Sequence, residues 1–159
     1  MNHPNGNGQT LTIVSGGQTG ADRKALDWAI AHRFPHGGWC PAGRLAEDGP
    51  IPDQYNLRET ESSAYSERTR LNVEQSDATL IVSPVLPTGG TLLTVQHARK
   101  VRKPVLVVTH ENEEESPGLL QAFIQEYEVG VLNVAGPRAS GSPEVGTMVG
   151  RLLDRALRE

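Results

Sequence analysis

The chain has 159 residues, with 15 Lys and Arg against 19 Asp and Glu, a formal net charge of −4. Hydrophobic residues reach only 36%, but 17 glycines bring the apolar-plus-glycine share near the ~45–50% of ordinary globular domains, which excludes disorder for most of the chain. The acidic balance and 4% aromatic content argue against a nucleic-acid-binding surface, and no run approaches the ~18 apolar residues of a membrane span.

In chain order, Met1 to Gln9 is rich in Asn, Gly and His without periodicity and reads as a flexible tail, with no basic-then-apolar leader. Residues 10–159 read as one Rossmann-like domain. A β-branched strand, Thr10 to Val14, ends in Ser15-Gly16-Gly17, and a helix is predicted from Ala21 to Arg33 with Leu26, Ala29 and Ile30 on one face. Thr19 and Asp22 have the spacing of a capping box at its start. The segment Phe34 to Leu57 holds four prolines and four glycines, so it reads as a long loop with at most a short strand around Gly38 to Cys40. Stretches of that kind in compact domains are usually functional.

A helix is predicted from Ser63 to Gln75, then a strand at Thr79 to Ser83, a turn at Pro87 to Gly90 and a helix from Thr91 to Arg102. The strand Val105 to Thr109 precedes a charged loop, Glu111 to Ser116. Ser116-Pro117 opens a further helix, with Pro at the first helical position. The strand Val129 to Val134 leads through AGPRASGSP to a final helix carrying the stripe Val145, Met148, Val149, Leu152, Leu153, Ala156 and Leu157. Alternating strands and helices imply a mainly parallel sheet covered on both faces, an α/β doubly wound fold. The sequence does not order the strands. Ligands of such folds sit beyond the C-terminal strand ends.

Two glycine loops occupy that position. The first is Gly16, Gly17, Gln18, Thr19 and Gly20; the second is Thr88, Gly89, Gly90 and Thr91. Glycines permit close approach of a ligand, and free N–H groups at a helix N-terminus favour a phosphate. Neither loop matches G-x-G-x-x-G or G-K-[ST]. Each alone is also the pattern of a tight strand-to-helix turn, but the pair at one sheet edge favours an anionic ligand.

The long loop adds Trp39 as a flat face for a ring or a core residue, and Arg44 and Arg58 as bidentate oxyanion partners. Glu47 and Asp48 are acceptors for ring N–H groups or plain loop-surface charges. Cys40, the single cysteine, excludes an internal disulfide and a thiolate zinc cluster, and suits a reducing, cytoplasmic setting. Arg68 and Asn72 share one helix face, and Arg68 is either a phosphate contact or a surface ion-pair residue. The five histidines lack metal-ligand spacing, so no metal site is expected. Nine of the 17 glycines (16, 17, 20, 37, 38, 43, 49, 89 and 90) fall in these loops and suggest a map of the pocket.

The runs SGGQTGADRKALDWAI, GGWCPAGRLAEDGPIP, LRETESSAYSERTRLNVEQSDATLIV and TGGTLLT together resemble the molybdenum-cofactor carrier family, a branch of the lysine-decarboxylase-like, nucleotide-ligand-binding Rossmann proteins. The resemblance covers about Ser15 to Thr94. It implies a carrier that binds molybdenum cofactor (molybdopterin) through its phosphate, assembles as a homo-oligomer (dimer or tetramer), and serves molybdoenzymes or cofactor-synthesis proteins. It carries Gly16 to Gly20, Asp22, Arg23, Trp39, Arg44, Asp48, Arg58, Arg68 and Thr88 to Thr91 into the binding site, with no catalytic residue.

The same superfamily includes nucleotide phosphoribohydrolases, whose second glycine loop continues into acidic residues. In this chain Thr91 is followed by Leu92, Leu93, Thr94, Val95 and Gln96. Without an acid there to stabilise an oxocarbenium-like centre, cleavage is the weaker reading. A nucleotide-ligand sensor is the third.

Overall fold

The computed structural model describes residues 10–158; the tail expected at residues 1–9 lies outside the described residues. The chain opens with β1 (Thr12–Val14), crosses α1 (Ala21–Ala31) to β2 (His36–Gly37), and then forms a small pair, β3 (Trp39–Cys40) and β4 (Arg58–Glu59). It continues through α2 (Tyr65–Glu74), β5 (Ala78–Val82), α3 (Gly89–Lys100), β6 (Val105–Val108), α4 (Ser116–Glu126), β7 (Val131–Ala135) and α5 (Val145–Leu157).

The main sheet has the order β2-β1-β7-β5-β6, every pair parallel. Its register sets Ile13 beside His36 on one side and Leu132 on the other, and Leu80 beside Leu106 and Val134. Parallel strands are buried on both faces, and β5 is buried at all five residues. Alternation divides it: Ala78, Leu80 and Val82 join a core with α1, α4 and α5, while Thr79 and Ile81 point the other way, toward α2 and α3. The final helix buries Val145, Met148, Val149, Leu152, Leu153 and Ala156, the predicted stripe with Leu157 only partly covered. Each such Val or Leu side chain contributes ~1.5–3 kcal/mol on burial. The fold is therefore the expected Rossmann-like, doubly wound α/β arrangement.

The topology itself creates a crevice. The chain leaves β1 toward β2 on one side and β5 toward β6 on the other, and β7 fills the gap between. Crossovers departing in opposite directions leave space above the C-terminal strand ends at that point. Helices α2 and α3 pack side by side, and a groove runs between them.

The long loop is ordered by a second, smaller core. Cys40, Ile51 and Tyr55 pack against Leu26 of α1, with Ala46 and Leu57 beside them. Arg44 holds the loop from within. Its guanidinium donates to four carbonyls, those of Ile51 (2.9 Å), Leu57 (3.4 Å), Pro52 (2.8 Å) and Tyr55 (2.9 Å). The capping box predicted for α1 does not form. Gly20 takes the cap position with a φ of 84°, and the side chains of Thr19 and Asp22 are engaged elsewhere. The Ser116-Pro117 cap is shifted too: Glu115 caps α4 and Ser116 is its first residue.

Candidate functional site

The groove between α2 and α3 has a volume of about 700 Å³. Its floor is built at the C-terminal sheet edge: Gly16 and Gln18 follow β1, Asn133 and Ala135 belong to β7, and Gly136 to Arg138 follow β7. Tyr65, Arg68 and Asn72 form the α2 wall, and Thr88, Gly90, Thr91 and Thr94 the α3 wall. The two glycine loops thus meet at one cavity.

Their physical states differ. At Gly16 a Cβ would lie 1.5 Å from Arg68 Nη1, because the guanidinium crosses the glycine directly. At Gly17 (φ 79°) it would meet Leu57 Cδ1 at 2.6 Å, and at Gly20 the Pro137 carbonyl oxygen at 2.5 Å. Gly16, Gly17 and Gly20 are therefore each packed tightly, and the first loop borders the groove only through Gly16 and Gln18. Gly89 (φ 53°) and Gly90 face open space, so the N-terminal turn of α3 is accessible, with free N–H groups and the positive end of its dipole.

Arg68 Nη1 donates to Asp22 Oδ2 at 2.7 Å, and the Gln18 backbone N–H donates to the same oxygen at 3.3 Å. Asp22 is 4% exposed. Burial pushes its carboxyl above the usual aspartate range, opposed by the Arg68 cation beside it. Ser15 Oγ donates to the Asp22 carbonyl at 2.9 Å, which fixes the loop to the first turn of α1.

Gln18 is held differently. Its Oε1 accepts the backbone N–H of Thr19 (3.1 Å) and of Glu47 (2.8 Å), so the amide has only one sensible orientation. Its Nε2 is then left buried without a partner, as is Arg68 Nε. Native structures satisfy nearly all buried polar atoms, and an orphan of this kind asks for an explanation.

The predicted site residues divide accordingly. Gly16, Gln18, Asp22, Arg68, Thr88, Gly90 and Thr91 line the groove. Thr19 does not: its hydroxyl donates to Glu47 and accepts from the Ala139 N–H (3.1 Å). Ser140 closes the same clasp through Oγ to Glu47 Oε1 at 2.6 Å. These hydroxyl bonds pull the Glu47 carboxyl below its ordinary range. Arg23 is spent on a bidentate pair with Asp48 (3.0 and 3.1 Å) and on the Gly17 carbonyl (3.0 Å). That hydrogen-bonded pair also holds the Asp48 carboxyl low. Arg44 is consumed by the four carbonyls already described.

Trp39 and Arg58 line a separate cleft of about 280 Å³, with the guanidinium 5.6 Å from the indole centroid. Asn72 borders both cavities and bonds the Trp39 backbone through Oδ1 (2.8 Å) and Nδ2 (3.0 Å). The ring contacts expected of Trp39, Glu47 and Asp48 are thus not at the groove. Burial pushes the Cys40 thiol up, so it behaves as a core residue.

A family model described as circularly permutated YpsA SLOG matches residues 13–157. The chain belongs to the circularly permutated YpsA SLOG family. A solved structure from Syntrophus aciditrophicus, named "Putative molybdenum carrier protein", is 45% identical with a TM-score of 0.90, over 92% of this chain and 94% of that one. No curated protein matches the chain. The family match spans the groove and every residue assigned to it.

Sequence reasoning missed several groove residues of this SLOG chain. Tyr65 lies 5.4 Å from the Arg68 guanidinium and 5.6 Å from that of Arg138, and it lines the groove, which Trp39 does not. Arg138 and Asn133 were legible from the sheet rule, had it been applied to the C-terminal end of β7. His97 and Lys100 come from the far end of α3, where His97 meets Glu74 at 2.9 Å. Among the described residues no group of three or more His, Cys, Asp or Glu could hold a metal ion, and no helix is long and apolar enough to cross a membrane.

Proposed function

We propose that this chain is a carrier that binds a phosphate-bearing pterin of the molybdenum-cofactor type. The observation that carries the reading is the meeting of both glycine loops and the post-β7 loop at one cavity, below an open helix N-terminus. The ligand phosphate belongs at Thr88, Gly90 and Thr91, with Arg138 adding charge, since the first loop has no room for it. The ring belongs between Tyr65 and the polar floor. The orphaned donors of that floor fit an oxygen-rich heterocycle. A carrier's name on a 45%-identical relative supports the reading.

Titration of the purified protein with molybdenum cofactor tests it. Gly90→Asp is the informative variant, because its Cβ meets nothing and a carboxylate stabilises a helix N-terminus while repelling phosphate. Binding should vanish with no loss of melting temperature. A wild type that binds no pterin would reject the proposal. The equivalent substitution at Gly17 is less useful, since its positive φ and the Leu57 contact would disturb the fold as well.

The reading extends to a cytoplasmic homo-oligomer, dimer or tetramer, that passes its ligand to molybdoenzymes or cofactor-synthesis proteins. Exposed Val85, Leu86 and Leu93 beside the second loop support self-association. Light scattering after gel filtration checks the subunit count.

One observation favours a nucleotide phosphoribohydrolase instead. The acid missing from α3 is present in the groove as Asp22, delivered by the first turn of α1. Its Oδ2 is committed to Arg68, which weakens it as a catalytic carboxylate. Incubation with AMP and chromatography for free adenine separates the two readings.

A further inference from the structure

Two buried donors, one on the groove floor and one on its α2 wall, are left unused by the protein. Gln18 Nε2 and Arg68 Nε both have less than 1 Å² accessible and no partner, and both residues line the cavity. Gln18 is 5% exposed, and rotating its amide does not relieve the orphan, because Oε1 is pinned by the N–H groups of Thr19 and Glu47. Arg68 is equally fixed: Nη1 is tied to Asp22 and its stem lies against Gly16. Both unmet groups are donors. Neither atom is open to a water-sized contact, so a ligand reaches them only by displacing the side chains that cover them, and the part that does so must present acceptors; a second donor there would remain unpaired in a dry site.

Resting on the reading of a phosphate-bearing heterocycle, we propose that Gln18 and Arg68 form an oxo-acceptor subsite, separate from the anion seat at the α3 N-terminus. It selects ligands that place a carbonyl or oxyanion oxygen on the floor and rejects those that place an amino group there. Two sources carry this chemistry, the ring carbonyl of an oxo-purine or pterin and a free oxyanion such as molybdate.

Calorimetric titration of the whole protein with IMP, AMP and sodium molybdate tests it. IMP and AMP share a phosphate and differ by a 6-oxo against a 6-amino group. If the source is a ring carbonyl, wild type binds IMP at least tenfold tighter than AMP, and Gln18→Glu, which keeps Oε1 and removes the donor, brings the ratio to within twofold. If the source is an oxyanion, the two nucleotides bind alike, and molybdate binds wild type and Gly90→Asp but not Gln18→Glu. Arg68→Lys keeps a cation for Asp22, removes Nε, and gives the same answer should Gln18→Glu fail to fold.

Unchanged affinities for all three ligands in both variants would overturn the subsite, and so would an AMP preference in wild type. The carrier reading fails separately, when neither nucleotides nor pterin phosphates bind wild type. The molybdate arm then decides the floor alone: binding lost in Gln18→Glu sustains it, and no binding to wild type overturns it.

Discussion

Gly16 is a glycine because a charged side chain occupies the place of its Cβ. In Gly16→Ala the new methyl would sit 1.5 Å from Arg68 Nη1, 2.6 Å from Cζ and 2.9 Å from Cδ. The backbone of Gly16 is not in the left-handed region, so the clash is with the guanidinium and not with φ. Arg68 must leave, which breaks its 2.7 Å bond to a carboxylate that is 4% exposed. Removing one partner of a buried pair costs about 3–5 kcal/mol, and a long side chain that can swing into the groove places this case at the lower end, about 3 kcal/mol. For a chain of this size that is a fall in melting temperature of roughly 6–12 °C, taking ~2–4 °C per kcal/mol. Urea denaturation of four proteins measures it: wild type, Gly16→Ala, Arg68→Ala and the double variant. In the Arg68→Ala background the same glycine substitution should be neutral or stabilising by about 0.4–1 kcal/mol, because only the unfolded-chain entropy term remains. A single variant within about 0.5 kcal/mol of wild type, or an equal loss in both backgrounds, would refute the reasoning.

Arg44→Lys should destabilise by about 3 kcal/mol and open residues 41–57 to limited proteolysis, since one ammonium cannot reach four carbonyls and hydrogen bonds from charged donors contribute ~1.5–3 kcal/mol each. Gly38→Ala should fail to fold or lose more than about 3 kcal/mol, because φ is 127° and the Cβ would stand 2.2 Å from the Ser15 carbonyl oxygen; Gly90→Ala, in open space, should change stability by less than ~1 kcal/mol. The clasp of Glu47 and the pair of Asp48 should be acid-labile. Both carboxyls titrate below their ordinary values of 4.5 and 3.8, so the stability they lend is complete above those values and is lost as pH falls through the lowered ones. Asp22 acts with the opposite sign, since its raised pKa favours the fold below 3.8 and less as pH rises through the folded value. The readout must therefore be local: amide-exchange protection of Ser140, whose N–H meets Glu47 at 3.2 Å, should fall on acidification and be lost at neutral pH in Glu47→Ala.

The fold was legible because its signals are periodic. Buried runs such as Ala78–Val82 and the stripe of α5 announce themselves, and the boundaries of the expected elements shifted by only one or two residues, whereas the two-residue strands β2 and β4 carry no such signal and were not expected. Strand order was not legible, because β7 enters between β1 and β5 through contacts far apart in sequence. The groove was half legible. Gly16, Gln18, Asp22, Arg68 and the second loop were found from loop position and resemblance, whereas Tyr65, Asn133 and Arg138 converge only once β7 and α2 are placed. The charged residues of the long loop misled for one physical reason. Arg44, Glu47 and Asp48 are polar, loop-borne and close to glycines, as ligand-binding residues are, but the loop has a small apolar core and needs them, together with Arg23 of α1, as internal staples. Most of the nine glycines likewise answer to backbone geometry: positions 17, 20, 38, 43, 49 and 89 have positive φ, and of the nine only 16 and 90 line the groove.

Loops of similar composition after parallel strands are expected to do similar work, yet of the two glycine loops one is closed and the other open. The first is filled by Arg68, Leu57, Ile51 and the backbone of Pro137 to Ala139, and its helix cap is used up in turning the chain. A phosphate cannot settle on its glycine backbone without displacing side chains that themselves hold Asp22 and the long loop, so this loop meets the groove only through Gly16 and Gln18. The second meets nothing, and its helix presents bare N–H groups beside two threonines. Rigidity and vacancy are complementary requirements of a binding site: a fixed wall sets orientation without entropic cost, and an open helix end accepts charge without reorganisation. The Thr19, Glu47 and Ser140 clasp, which joins the first loop, the long loop and the post-β7 loop, belongs to the wall. Loosening it should weaken ligand affinity without removing any ligand contact, because none of its three side chains lines the groove.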